Sequence, residues 1–221
     1  MSYVPELVAL YEICPYIRKL ALDNETIRVA VKDYLEGGEK KDAIIKKYGK
    51  IEDWNTSEVT DMSGLFRGFD FDNELNREHT VMRNFNEDIS KWDTSNVTTM
   101  KGMFMGAESF NQPIVKWDIS NVTIIGGMFY ESHTFNQSIG EWDTSKVTIM
   151  KGMFSGSKSF NKPIEEWDTS NVTDMEGMFL EAESFNKPIG GWNTSKVSNM
   201  SCMFYDATSF NPENAPWYND E

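Results

Sequence analysis

Apolar residues recur along this chain at a period of 25, which is neither a helix period nor a strand period. The seven tryptophans stand at Trp54, Trp92, Trp117, Trp142, Trp167, Trp192 and Trp217, one step of 38 followed by five of 25. Phenylalanine forms two further columns: Phe66, Phe104, Phe129, Phe154, Phe179 and Phe204, and Phe85, Phe110, Phe135, Phe160, Phe185 and Phe210. Ile89 and its counterparts lie three residues before each Trp, and Val97 and its counterparts five after it. A methionine column (Met62, Met100, Met150, Met175, Met200) has Ile125 in one place. One such unit has too few apolar groups to bury its own face, so stacked units must share a continuous core. The units fall at 51–88, 89–113, 114–138, 139–163, 164–188 and 189–213, with a C-terminal cap over 214–221. The first is longer by 13 residues, and its excess lies between Phe66 and Phe85. That excess predicts an insertion, 67–84, projecting as a loop from one face.

Within a unit the pattern predicts a short extended segment over "IxxWDTS", a bend at Asp-Thr-Ser, and a helical or 3₁₀ turn over "GMFxxA". Recurrent Gly and β-branched Thr argue against a long helix. Stacking through β hydrogen bonds would give a rise of about 5 Å per unit. Residues 1–50 read as a helical N-terminal cap, with 51–221 as the repeat domain. "PELVALYEI" is amphipathic, "NETIRVAVKDYLEGG" has Asn24 as its N-cap and stops at Gly37-Gly38, and "EKKDAIIKKYG" stops at Gly49. At the other end Pro212, Pro216 and an acidic tail discourage further edge pairing.

Composition adds exclusions. With 25 % charged and 39 % hydrophobic residues, the chain of 221 residues reads as folded. No run approaches the roughly 18 apolar residues of a membrane helix. The opening segment lacks a basic n-region, so no secretory signal is read there. Eight N-x-S/T sequons, several at one repeat position, would crowd neighbouring units with glycans. The expected location is therefore intracellular, in a host cytoplasm or a virion, with no membrane partner. Cys14 and Cys202 lie far apart and His79 and His133 have no ligand spacing, so neither metal nor cofactor is expected, and both thiols are expected reduced and buried. Residues 51–221 carry a net charge of −15 against +1 for residues 1–50, which disfavours nucleic acid as a partner.

"WDTSNVTTMKGMFMGAESFNQPI" (Trp92–Ile114) and its counterparts closely resemble the BspA-like leucine-rich-repeat family, in the branch named domain of unknown function 285. The resemblance spans about residues 51–213. The helical segment before it, from "ETIRVAVKDYLEGG" onward, resembles one that precedes such repeats in proteins of algae and large DNA viruses. The resemblance implies an α+β repeat, a right-handed leucine-rich-repeat-like solenoid of about six 25-residue coils, used for protein interaction. Its bacterial surface members are adhesive and carry export signals or anchors; the expectation here is a protein without them.

The recurrent polar residues invite chemical readings that the repeat itself answers. Asp93, Asp118, Asp143 and Asp168 could form a cation ladder, but Asn55 and Asn193 hold the same position, which fits an Asx-turn better than a calcium site. The column Asn86 to Asn211 reads as a structural ladder, and the Trp and Met columns as core. No nucleophile–base–acid set or phosphate-binding glycine loop is present, so no catalytic residue is expected. What varies between units is more informative. After the first Phe column come Arg67, Met105, Tyr130, Ser155, Leu180 and Tyr205; a second variable column reads Asp61, Thr99, Ile124, Ile149, Asp174 and Asn199. Apolar residues at solvent-facing variable positions mark a patch. Met105, Ile124, Tyr130, Ile149, Leu180 and Tyr205, with Phe69 and Phe71 of the insertion, are the candidate partner-binding residues. The expected function is non-catalytic protein–protein interaction, by a monomer or as part of a larger assembly. The alternatives are a structural component of a particle, for example a viral one, and, more remotely, an enzyme with an acidic site.

Overall fold

Alternate backbone amides in each unit take different directions, and this decides the architecture. In the unit that holds Met100–Ala107, Met103, Met105 and Ala107 N–H donate to the Met100, Gly102 and Phe104 carbonyls at 3.1, 3.1 and 2.9 Å, closing successive turns. The intervening amides of Met100, Gly102, Phe104 and Gly106 donate to Ile124, Gly126, Met128 and Tyr130 of the next unit at 3.0, 2.9, 2.9 and 2.7 Å. Gly102 and Gly106, at φ 58° and 70°, occupy the third place of their turns, where a type II turn requires positive φ. This pattern recurs down the chain in the computed structural model, which describes residues 20–68 and 77–219.

The structure corrects the expected α+β, leucine-rich-repeat-like solenoid. Among the described residues there is no strand and no sheet: pairing is confined to single-residue parallel bridges, Asp61 to Thr99, Ile124, Ile149, Asp174 and Asn199 in series, with Ala21 to Asn55 beside the N-terminal helices. A strand needs a run of extended residues, and here every second amide is spent on a turn. The "GMFxxA" segment is likewise a chain of turns rather than a helix.

The core lies inside this ribbon of turns. Phe104 and Phe110 of one unit approach to 3.9 Å between ring centroids, nearly parallel, and Phe104 lies 5.7 Å from Phe129 of the next. Paired rings this close are nearer to face-to-face than the offset geometry an isolated pair prefers, so burial rather than ring electrostatics holds them. From Trp92 onward each indole N–H crosses between units: Trp142 donates to the Ile114 carbonyl at 3.2 Å and Trp167 to Ile139 at 3.0 Å, whereas Trp54 donates to Gly49. The Trp and Ile columns are thereby coupled by a buried bond.

Polar columns complete the turns. Ser120, Ser145 and Ser170 N–H donate to Asp118, Asp143 and Asp168 Oδ1 at 2.9, 3.0 and 2.9 Å, an Asx-turn in each unit. Ser bonds hold these three carboxyls below their usual range. Asn111, Asn136, Asn161, Asn186 and Asn211 N–H each donate to Oδ1 of the asparagine one unit earlier, at 2.9 to 3.0 Å. The asparagine ladder thus joins side chain to backbone rather than amide to amide.

Helices Asn24–Glu36 and Gly38–Tyr48 sit on the first unit, with Tyr34 edge-on to Trp54 at 5.7 Å. Asp23, not Asn24, is the N-cap, in a capping box with Thr26. Asn24 is thereby free to bond the repeat: its Oδ1 accepts from Thr60 and Asp61 N–H at 2.8 and 3.0 Å. Arg28 donates to the Ser63 and Asp61 carbonyls at 2.7 and 3.4 Å. In the next unit the equivalent carbonyls, Lys101 and Thr99, accept from Gly64 and Met62. Asn24 and Arg28 therefore stand in for the unit that would precede the first. The insertion does not simply project: its described part contains helix Arg77–Arg83 with Met82 buried, and the Arg83 carbonyl accepts from Ser109 N–H at 3.0 Å.

Two predictions follow from these bonds. Arg28→Ala strips donors from an exposed edge and is expected to cost about 1 kcal/mol, a fall in Tm of roughly 2–4 °C by calorimetry; an unchanged Tm contradicts the capping role. Carboxyls with lowered folded-state pKa contribute stability above their unfolded pKa and lose it as pH falls through the folded value. The triple variant Asp118→Asn, Asp143→Asn, Asp168→Asn should therefore lose less Tm than the parent between pH 5 and pH 3, because asparagine already serves this turn at positions 55 and 193. Equal losses would show that these turns carry no pH-dependent stability.

Candidate functional site

The variable side chains lie on a floor made by the glycines of the turns. Gly102, Gly127, Gly152 and Gly177 share φ of 56–63° and occur once per unit. Without side chains they leave room above the ribbon, which residues three positions on, in the same and the preceding unit, occupy. Met105 reaches across to the next unit: its Cε would stand 3.1 Å from a β-carbon at Gly127, and Tyr130 Cδ2 would stand 3.7 Å from one at Gly152. Ile149 Cγ2 comes equally close, 3.2 Å, to that position at Gly126. Met105 and Tyr130 thus both border Gly127, Ile149 borders the adjacent Gly126, and Ile124 is tied to Ile149 by a backbone bridge. All four side chains are half-buried.

The remaining candidates are more dispersed. Leu180 is half-buried over Gly177, separated from Tyr130 by the buried Ser155 of the intervening unit. Tyr205, in the last unit, is 61 % exposed. Phe69 and Phe71 lie outside the described residues. Cys202, expected to be buried, is exposed at φ 56°, in the place where earlier units have glycine; Cys14 lies outside the described residues. The glycine column was visible in the sequence as a mark against a long helix; its role as a floor depends on the turn geometry.

Charges flank this row. Glu131 and Glu181 adopt φ of 55° and 56° at a position that is glycine at 106 and 156. Glu131 pairs with His133 at 2.7 Å, Lys158 with Glu183 at 3.2 Å, and Lys151 with Glu176 at 2.7 Å. Burial first, then the Glu131 and Glu181 carboxylates, push the Tyr130 phenol up. Bonds to Glu183 and Glu176 likewise hold the Lys158 and Lys151 ammonium groups charged to higher pH. The result is an apolar strip with carboxylates at its margin. Such an arrangement can bury an apolar side chain of a partner and attract basic groups around it. Among the described residues, no cluster of three or more His, Cys, Asp or Glu is placed to hold a metal ion, and no helix is long and apolar enough to cross a membrane.

No curated protein and no solved structure matches the chain. One protein family does, over residues 41–148 and again over 133–221, so that most of the second helix and all the repeat units fall within the match. The chain belongs to the family described as Mycoplasma protein of unknown function, DUF285.

Proposed function

We propose that this protein is a non-catalytic binding module whose contact surface is the strip formed by Met105, Ile124, Tyr130 and Ile149, extended by Leu180 and Tyr205. The observation that carries this reading is that Met105 and Tyr130 border Gly127 and Ile149 borders Gly126, apolar side chains from three successive units at positions where the repeat permits variation. The polar columns support it by being engaged elsewhere. The aspartates hold turns, the asparagines tie units together, and Thr94 and Thr144 donate to the carbonyls of Asp118 and Asp168. The resemblance of the repeat words to the BspA-like family, which implies a protein-interaction role, supports the same reading. The acidic margin favours a protein partner with basic residues around an apolar contact.

The double variant Met105→Glu, Tyr130→Glu adds charge to the strip at half-buried positions and leaves the Trp and Phe columns intact. Proteins retained from host extract by the immobilised parent should be retained at least 10-fold less by this variant. A control variant on the Asx-turn side, Glu141→Lys, should retain them as the parent does. Far-ultraviolet circular dichroism and Trp fluorescence check that all three are folded. Equal retention by parent and strip variant contradicts the assignment of the surface, and turnover of any substrate abolished by a carboxylate substitution contradicts the non-catalytic reading.

A further inference from the structure

The two ends of the repeat differ in a way that the lateral strip does not explain. At the N-terminal end Asn24 and Arg28 engage the backbone groups that a preceding unit would have met. At the C-terminal end the corresponding groups are left over. Met175, Gly177, Phe179 and Glu181 N–H donate to Asn199, Ser201, Met203 and Tyr205 of the last unit at 2.8–2.9 Å. The amides that should repeat this step, on Met200, Cys202, Phe204 and Asp206, have no acceptor among the described residues. Residues 211–219 cover only part of this end. Trp217 donates to the Ile189 carbonyl at 3.0 Å, and Tyr218 stands edge-on to Phe204 at 5.1 Å. At Phe204, one of these four residues, the edge opens on a cleft of about 470 Å³ lined by Phe204, Ala207, Phe210, Pro212, Ala215, Tyr218 and Asn219. Phe204 and Phe210, half-buried here, are the last pair of a column whose inner members are fully buried.

We infer that this edge is a second binding site, and that its occupant is a polypeptide segment laid parallel to Met200–Asp206, offering backbone carbonyls on four alternate residues and an apolar ring to the cleft. The polarity of the edge selects this partner. All four groups are donors, so a second copy of the chain brought edge to edge about a two-fold axis would set donor against donor. A small anion could meet neighbouring amides but neither spans alternate positions from 200 to 206 nor fills the cleft. A segment built like the chain's own units meets both requirements: Asp174, Glu176, Met178 and Leu180 present such carbonyls to Met150, Gly152, Phe154 and Gly156, and Phe179 and Phe185 present the rings. This is recognition by strand-like addition, achieved through turns. It uses the backbone amides of the edge and the cleft rather than the Met105–Ile149 part of the lateral strip, shares only Tyr205 with that strip, and is read out at groups the strip variant does not touch.

The probe is a synthetic peptide with the sequence of residues 172–188, added to the intact chain. Amide exchange followed by NMR should slow at least 10-fold for Met200, Cys202, Phe204 and Asp206 at saturating peptide. Alkylation of Cys202 by N-ethylmaleimide, read by peptide mapping to separate it from Cys14, should slow in parallel. A peptide with Ser in place of both phenylalanines should bind at least 10-fold more weakly. Three outcomes overturn the inference: no slowing of these four amides at millimolar peptide, equal slowing by acetate alone, or concentration-dependent dimerisation of the chain without peptide that protects the same amides.

Discussion

The structure depends on a division of labour between successive amides. One closes a turn onto the carbonyl three residues back; the next crosses to the neighbouring unit. Local turns alone would leave units unconnected, and crossing bonds alone would draw the ribbon into strands. Alternation does both within seven or eight residues, and the positive φ that it demands explains why glycine recurs at 102, 127, 152 and 177. Ring stacking, the indole bonds and the asparagine ladder then act on a spacing that the backbone has already set.

Crossing bonds in the turn segment share one direction, from each unit to the next, so the two ends carry opposite backbone groups. Along this segment the N-terminal end presents carbonyls, two of which meet a guanidinium, and the C-terminal end presents N–H groups; just before it the direction reverses, and there Asn24 accepts from Thr60 N–H. This asymmetry is the repeat's analogue of the unlike ends of a helix. It makes end-capping a matter of donor and acceptor type as well as of covering apolar surface, and it ties the role of Arg28 to the availability of the amides around Phe204.

What the sequence made legible was whatever repeats as a side chain. The Trp and Phe columns, their register and the Asx-turns could be read because a column of one residue type reports one environment. The backbone route between those columns could not. Gly102 and Thr99 suit a turn as well as a bent strand, and only the destination of each amide separates the two; an extended segment was expected over "IxxWDTS", and the pairing found is single bridges at Thr99 and its counterparts. Asn24 was read as an N-cap because it precedes a helical pattern; Asp23 competes for that place with Thr26 in a capping box, leaving Asn24 to the first unit. Of the candidate face, the residues were visible as variation within a repeat, while the placing of Met105 over Gly127 required knowing that the side chain of one unit leans over the glycine of the next. Cys202 departs from its column: it keeps the left-handed backbone of the glycines, at φ 56°, while carrying an exposed side chain.

The most direct test of the account is the identity of the acceptors in a central unit, measured as scalar couplings across hydrogen bonds by NMR. The account predicts a coupling from Met153 N–H to the Met150 carbonyl and, one residue earlier, from Gly152 N–H to the Glu176 carbonyl of the next unit. A coupling from Met153 N–H to a carbonyl of a neighbouring unit, as a continuous strand would give, would contradict it.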